Sequence, residues 1–374
     1  MKVLKNRIFI FSFFIFNTLS YEADDNTNNL SKIVTNEAEN FLKDKRFGSV
    51  SITVFHKGES YVGHYGELDY KKGNRPSDQT LYELASVTKT MTGYLVACAV
   101  NEGKFTLDTP VHEILGKEFD NLSFETEPVR IRHLITHTSG LPLNISQVSD
   151  LYEQPDINNY QKAHKILTNY TQQSLLAEVK SLRLTELPGN NYGYSNVAPN
   201  LIAHILETVY QKKFNVLLEE KLFAPAKMTS TFINLDSHNK ALLANGYNDS
   251  NERMPTFKNA INLWGAAGRV KSNTNDLLNY IKWQLDEDNP VVRQSHQGLF
   301  YDVDNIWIGY YWEVIKNTSE EHIEHHGGLY GSQNWLILHP EENFGISIIS
   351  NSSFPEANGL LKEAANKVYE QLIQ

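Results

Sequence analysis

The chain has 374 residues, of which 41% are hydrophobic and 21% charged, a composition typical of globular proteins. Its formal net charge is −10, and no basic stripe runs along it, which excludes the electrostatic footprint of a nucleic-acid-binding protein. The single cysteine, Cys98, excludes an internal disulfide, and the apolar run around it predicts a buried small hydrophobe rather than a reactive thiol.

The first 20 residues are typical of a secretory signal peptide. Lys2, Lys5 and Arg7 precede an apolar run over 8–16, and small residues follow it. The run is short for a transmembrane span, although an uncleaved anchor stays open as the alternative. We therefore predict a signal peptide over 1–20, a polar linker over 21–29, and a periplasmic or secreted protein with no stable membrane span after signal removal.

The first elements after the linker predict a helix followed by a hairpin. Apolar residues recur at helical spacing over 30–41. A β-branched, alternating segment over 49–55 and a second over 61–65 predict two strands joined by a tight turn. The clearest helix is predicted over 86–102, where Gly103 ends it.

The section from about 105 to 260 predicts turns and short helices, with a polar surface loop over 147–161. A polar cap at 272–276 predicts a helix over 277–285. Three late strands are predicted over 306–315, 334–338 and 345–349, and a closing helix over 356–372. Strands near both ends and a helical middle indicate an α/β (α+β) fold, in which 30–374 forms a single domain of two lobes.

Ser86 and Lys89 stand three residues apart at the start of the helix predicted over 86–102, so they share one helix face. A free serine hydroxyl is a poor nucleophile and needs a base within hydrogen-bond reach. A lysine amine can be that base where burial or a neighbouring cation lowers its pKa. For this motif alone, the alternative stays open that Ser86 only caps a solvent-exposed helix start.

Tyr194 and Asn196 lie in a Gly- and Asn-rich loop that leads into an apolar helix from about Ala198 to Val209. A tyrosine phenol can relay a proton if nearby cations lower its pKa. An asparagine amide offers a donor and an acceptor, enough to hold a lysine head and a substrate carbonyl. The alternative is that Asn196 only caps the following helix.

A third motif, His325, His326, Gly327 and Gly328, precedes the strand predicted over 334–338. Glycines beside a strand let a ligand approach the backbone closely, and their N–H groups can stabilise an oxyanion. A glycine-rich hairpin turn with surface histidines is the alternative.

In this order, the three motifs resemble those of the penicillin-recognising serine hydrolases, in the branch of class C β-lactamases, D-alanyl-D-alanine carboxypeptidases, D-aminopeptidases and related esterases. Segments 107–111, 132–142 and 268–276 resemble further landmarks of that family, so the likeness covers nearly the whole chain from Leu30. The resemblance implies a two-lobed β-lactamase/transpeptidase-like fold. An antiparallel sheet flanked by terminal helices would stand beside a mostly helical lobe, roughly 105–260, with Ser86 between them.

The same resemblance implies a role for each motif residue. Ser86 would be the nucleophile with Lys89 as its partner, and Tyr194 would act as general base or proton relay. The substrate-binding residues would be Asn196, His325, His326 and Gly327. The two oxyanion-hole N–H groups would be those of Ser86 and Gly328. His326 stands where the family usually has Thr or Ser, so the hydroxyl that holds a substrate carboxylate is missing, and a protonated His326 could hold an anion instead.

We therefore predict a serine hydrolase that works through a Ser86 acyl-enzyme, with no metal or organic cofactor. It would be a peptidase or esterase acting on D-amino-acid-type amides or small esters. A true β-lactamase and a slow-turnover penicillin-binding sensor stay open. A metal enzyme is disfavoured because the histidines near His322 and Glu324 lack the spacing of zinc helices, and we predict structural hydrogen bonds for His133 and His137. The partner is a small-molecule or peptide substrate; the sequence does not predict the oligomeric state.

Overall fold

The structure, a computed structural model, describes residues 19–153, 156–316 and 321–373. The predicted signal peptide lies outside the described residues except for its last two positions. Helix α1 spans Leu19–Phe41, so it begins ahead of the start that the apolar spacing predicts and also takes in 21–29. Within 30–41 it buries Leu30, Ile33, Val34, Ala38 and Phe41, as the spacing predicts.

Eight antiparallel strands form the main sheet, and both ends of the chain contribute to it. They are β1 (Ser49–His56), β2 (Glu59–Gly66), β3 (Phe300–Tyr301), β4 (Ile306–Gly309), β5 (Trp312–Lys316), β6 (Glu321–Leu329), β7 (Ser332–His339) and β8 (Phe344–Ser350). Their spatial order is β2-β1-β8-β7-β6-β5-β4-β3. The pairing of β1 with β8 sets Ser51 opposite Ile349, which confirms the predicted sheet assembled from the two ends of the chain.

Helices cover both faces of the sheet. The closing helix α13, Ala357–Ile373, packs with α1 on one face. Apolar residues of the two helices and the strands form one cluster there, including Val34, Ile52, Ile348 and Leu361. The second face meets the helical lobe, whose buried residues form the larger core cluster.

The chain between β2 and β3 supplies the remaining helices. They are α2 (Thr88–Asn101), α3 (Val111–Leu115), α4 (Ile131–Ile135), α5 (Ser146–Glu153), α6 (Ile157–Asn169), α7 (Gln172–Ser181), α8 (Val197–Tyr210), α9 (Phe214–Leu218), α10 (Ser237–Leu242), α11 (Thr274–Gln284) and α12 (Pro290–Ser295). Short strand pairs accompany them, including Tyr82–Glu83 with Lys271–Ser272. Among the described helices, none combines the length and apolar character that crossing a membrane needs.

The surface loop predicted over 147–161 is wrong, because most of this stretch is helical in α5 and α6. The Asp156 side chain caps α6 by accepting the N–H groups of Asn158 and Asn159 at 2.7 and 3.0 Å. Each helix buries one narrow apolar stripe, marked by Val148 and Ala163, which a mostly polar composition conceals.

The single strand predicted over 306–315 is also wrong, because a reversal splits it into β4 and β5. Tyr310 and Tyr311 hold left-handed backbone angles, with φ of 50° and 70°. The Tyr311 N–H donates to the Ile135 carbonyl at 3.0 Å, so the turn is fixed against the helical lobe. An almost continuous run of apolar residues extends through the turn, which hides it from a periodicity analysis.

Gly93 lies where α2 meets the turn between β4 and β5. A Cβ atom at this position would lie 2.0 Å from the Tyr310 carbonyl oxygen. We expect Gly93→Ala to lower the free energy of unfolding by about 2–3 kcal/mol, since neither backbone can withdraw cheaply. Gly359→Ala in α13 is the matched control, because no atom lies within 4 Å of its added Cβ. Chemical denaturation should show the control at least as stable as the parent.

Candidate active site

Ser86 lies on a short turn that leads into α2. A 3-10 turn spans Ala85–Val87, and Ala85 has a left-handed φ of 47°. Such angles are costly for residues other than glycine and concentrate at functional sites. Val87, and not Ser86, is the N-cap residue of α2, and the Ser86 hydroxyl bonds to other partners.

The structure brings Ser86, Lys89, Tyr194 and Asn196 together. Lys89 Nζ lies 3.0 Å from Ser86 Oγ, and the Tyr194 hydroxyl lies 2.7 Å from the same oxygen. Lys89 Nζ also donates to Asn196 Oδ1 at 2.8 Å and to the Ala267 carbonyl at 2.6 Å. The serine hydroxyl is therefore held between an amine and a phenol that the chain brings from separate segments.

Burial sets the protonation of both neighbours of the serine. Desolvation, followed by the charge of Arg269, lowers the pKa of Lys89 well below its ordinary value, as the sequence predicts for a base. Desolvation raises the pKa of Tyr194, and the carboxylate of Glu313 adds to the shift. The latter direction is opposite to the lowering by cations that the sequence suggested, and it favours a neutral phenol.

The loop before α8 is arranged so that Asn196 faces the lysine. Ser195, rather than Asn196, caps α8, because its Oγ accepts two N–H groups of the first turn at 3.1 Å each. The Ser195 hydroxyl itself donates to the Pro142 carbonyl at 2.7 Å. The Asn196 side chain makes no cap bond, and its amide donates to Asn144 Oδ1 at 2.9 Å. Sequence reasoning missed Asn144, for which no motif gave a signal.

His137 supports the tyrosine from behind. Its Nδ1 accepts the Ser195 N–H at 3.1 Å, and its ring centroid lies 4.4 Å from that of Tyr194. Desolvation, with the nearby Lys89 charge, lowers the pKa of His137 well below its ordinary value and keeps the ring neutral. His133 likewise accepts a backbone N–H at 3.1 Å, so the structural roles predicted for both histidines are confirmed.

The third motif forms part of β6 and not a hairpin turn. Its residues pair in register with β7, Gly327 opposite Asn334 and Gly328 opposite Gln333. A Cβ at Gly327 would lie 2.4 Å from the Leu84 carbonyl oxygen. The glycine therefore lets the strand lie directly against the turn that carries the serine.

The two histidines of the motif are neutral; His325 is buried and His326 is half-buried. Burial, then the charge of Lys89, lowers the pKa of His325 to about 3. The His326 ring donates from Nε2 to Gln333 Oε1 at 2.6 Å, and burial lowers its pKa as well. The protonated His326 that the sequence suggested as an anion holder is thus disfavoured.

A cleft of about 750 Å³ opens beside the serine between the two lobes. Ser86, Asn196, His326 and Gly328 line its reactive part. Apolar and aromatic side chains dominate one wall, among them Ile145, Tyr152, Ile157, Tyr160, Leu167, Met254, Ile261, Leu263 and Tyr330. Its size and apolar lining match those of small-molecule sites.

Among the described residues, no three His, Cys, Asp or Glu side chains converge in a way that could hold a metal ion. Near the third motif, Glu324 pairs instead with Lys362 at 2.5 Å and with His322 at 3.5 Å. Glu324 therefore has Lys362 as an ion-pair partner.

Glu313 gives the site a measurable pH dependence of stability. Burial first, and then the neighbouring Glu324, raises the pKa of this carboxyl from 4.5 to about 7 in the folded state. Between those values the folded state binds more protons than the unfolded state, so stability falls as pH rises. Glu313→Gln removes this loss, and we expect the variant to gain roughly 3 kcal/mol over the parent between pH 4.5 and pH 8.

Denaturation at a series of pH values measures this gain. Glu341→Gln, on the exposed turn between β7 and β8, is the matched control for the loss of one carboxyl group, and we expect it not to reproduce this gain. A constant difference between Glu313→Gln and the parent across the range would contradict the raised pKa.

Comparison with known proteins bears on the whole chain. A sequence model of the β-lactamase family, described as "Beta-lactamase", matches residues 34–370. Protein flp of Staphylococcus aureus (strain MRSA252) is 25% identical over 87% of this chain, and the chain spans 64% of the length of that relative. A β-lactamase of Pseudomonas fluorescens is 22% identical, covering 88% of this chain and 95% of the relative.

Solved structures share the fold. A β-lactamase/D-alanine carboxypeptidase from Yersinia pestis, complexed with citrate, has a TM-score of 0.78 at 21% identity, covering 92% of this chain and 99% of its own. A class C β-lactamase has a TM-score of 0.77 at 20% identity, with 92% and 98% covered. These likenesses confirm the predicted β-lactamase/transpeptidase-like fold.

Proposed function

This chain belongs to the β-lactamase family of serine hydrolases, and from that premise we propose that it cleaves an amide or ester by acyl transfer to Ser86. One observation carries the proposal. The Ser86 hydroxyl lies 3.0 Å from the Lys89 amine and 2.7 Å from the Tyr194 hydroxyl, so a proton acceptor and a proton donor both reach it. Nucleophilic catalysis by serine requires an activating base at this range.

The proton leaves Ser86 through Lys89. A neutral lysine amine has one lone pair and two N–H donors. The two donors bind the Asn196 amide oxygen and the Ala267 carbonyl, and the lone pair accepts the serine proton. Desolvation favours this neutral amine. Attack then forms the bond between Ser86 Oγ and the substrate carbonyl carbon.

Tyr194 completes the transfer as a proton relay. Because its phenol stays protonated, it can deliver a proton to the departing nitrogen or oxygen and be reprotonated from Lys89. The backbone N–H groups of Ser86 and Gly328, which line one cleft, would stabilise the oxyanion. Asn196 would hold the substrate carbonyl side, and water would then hydrolyse the acyl-enzyme.

The substrate class follows from the third motif and the cleft wall. Neutral His325 and His326 replace the charged and hydroxyl groups of class C β-lactamases, and His326 is tied to Gln333. This favours D-amino-acid-type amides or small esters with an apolar acyl part. β-Lactam hydrolysis is the second candidate, supported by the relatives that bear the β-lactamase name.

A substrate panel tests the proposal. We expect the protein without residues 1–20 to hydrolyse p-nitrophenyl esters or D-alanyl peptides faster than nitrocefin. Turnover of nitrocefin well above the others would favour the β-lactamase candidate. Stable labelling by penicillin with no turnover of any substrate would point to a sensor and end the hydrolase proposal.

Export is part of the proposal. The charged and apolar pattern of residues 1–20 supports a cleaved signal, which would place the enzyme in the periplasm or the medium. N-terminal sequencing of the mature protein tests it, with a start near Tyr21 as the expected result.

A further inference from the structure

Arg269 places a cation in the cleft whose charge helps to lower the pKa of Lys89, but whose N–H donors the proposed chemistry does not use. It follows the Ala267–Gly268 segment beside Lys89, and its side chain lines the same cleft as Ser86. Arginine carries five N–H donors and stays charged in proteins. Among the described residues, its guanidinium donates no side-chain hydrogen bond and forms no ion pair within 4.0 Å.

The guanidinium is held in place by packing. Its carbon lies 3.2 Å from the centroid of the Phe257 ring, a stacked arrangement that fixes the plane of the donors. Tyr152 and Tyr330, joined by a 2.6 Å hydrogen bond between their hydroxyls, line the cleft nearby. A planar cation backed by one aromatic ring and flanked by two phenols suits a planar anion such as a carboxylate.

The buried carboxyl group near Arg269 does not form an ion pair with it. Glu83 is buried, accepts the Phe257 N–H at 2.8 Å, and stands opposite Lys271 in a strand pair. Glu83 therefore faces a second cation and does not reach Arg269 as an ion pair. Asp156 and Asp249 also line the cleft, but both are exposed at its rim, where water screens their charges.

The position of the arginine indicates which part of the substrate it meets. Tyr194, which would protonate the leaving group, is not among the residues that line this cleft, whereas Arg269 is. The leaving group must reach Tyr194, so the group that extends along the apolar wall toward Arg269 is the one retained on Ser86. That group is the acyl part of the substrate.

We propose that Arg269 binds a carboxylate on the acyl part of the substrate, so that the enzyme prefers acyl groups with an apolar stem and an anionic end. The inference rests on the proposed acyl transfer to Ser86 and adds a specificity-determining residue to it. It also replaces His326, which is neutral, as the residue that meets a substrate carboxylate.

Paired esters test the proposal. p-Nitrophenyl monoesters of dicarboxylic acids from succinate to suberate are compared with neutral p-nitrophenyl esters of matching chain length. We expect kcat/KM to favour the anionic ester by about tenfold or more at one preferred length. Arg269→Gln should lower kcat/KM for that ester by about 10- to 100-fold more than for the neutral ester, chiefly through KM. The loss of the Arg269 charge near Lys89 should affect both esters to the same extent.

Lys258→Gln is the matched control, because it removes one nearby positive charge from a residue that does not line the cleft. It should change both esters by less than about threefold. No anionic preference in the parent at any length, or an equal loss of both esters in Arg269→Gln, would overturn the inference. A preference that appears only when the carboxylate is on the leaving group would overturn it as well.

The two proposals fail separately. Neutral ester turnover that depends on Ser86, without any anionic preference, would leave acyl transfer intact and remove the role of Arg269. Absence of Ser86-dependent turnover with every ester would instead remove the proposed function itself.

Discussion

Ser86→Ala should reduce kcat for every substrate by about 10⁴-fold or more and abolish covalent labelling by penicillin. The physical reason is that no other hydroxyl can replace it between the two proton-transfer groups. Its Oγ is the atom that Lys89 and Tyr194 both reach, at 3.0 and 2.7 Å. Steady-state kinetics with a p-nitrophenyl ester, together with mass spectrometry of the penicillin-treated protein, measure both effects.

Ser353→Ala is the control for this experiment. Ser353 lines the same cleft and accepts a hydrogen bond from Gln333 at 2.7 Å, but it has no contact with the lysine or the tyrosine. We expect its removal to cost less than about tenfold. If Ser86→Ala kept a tenth of the parent rate or formed the penicillin adduct, another residue would be the nucleophile.

The parts of the fold that the sequence predicted are those with a strong local pattern. Strands β1 and β8 are rich in β-branched residues and buried along most or all of their length. Strand β7 is buried throughout, and the helix after Ser86 is almost wholly buried. The left-handed Gly103 follows that helix, as predicted. In each case burial and backbone preference point to the same element.

The errors fall where local pattern and tertiary contact disagree. The sequences of α5 and α6 are mostly polar, because each helix buries few side chains against the lobe. The turn at Tyr310 and Tyr311 carries large apolar residues at left-handed angles, which only the contact with Ile135 and α2 explains. Propensity gives no sign of such a turn.

In the site, too, local sequence pattern predicted some features, and others depend on tertiary contacts. Spacing placed Ser86 and Lys89 on one helix face, and a family resemblance joined them to Tyr194 and Asn196. The direction of the Tyr194 pKa could not be predicted, because it depends on the burial of the phenol in the folded site. Arg269 was missed because a lone arginine carries no signal until the cleft around it is known.

Lys89→Met should lower kcat/KM by about 10³-fold, since the serine loses its proton acceptor. The loss should appear in acylation, as a slower burst with a p-nitrophenyl ester or slower labelling by penicillin. Lys89 also fills three hydrogen bonds, to Ser86, Asn196 and the Ala267 carbonyl, so thermal unfolding must be measured beside the kinetics.

Lys89→Arg separates proton acceptance from charge. A guanidinium keeps the positive charge but does not release its proton at accessible pH, so it cannot take one from Ser86. If the neutral amine is the base, this variant should be as slow as Lys89→Met, and the acylation rate of the parent should rise with pH as Lys89 loses its proton. Because burial lowers the pKa of Lys89, that rise should begin well below the ordinary lysine value. An active Lys89→Arg enzyme with a flat pH profile would show that the cation, and not the base, serves the reaction.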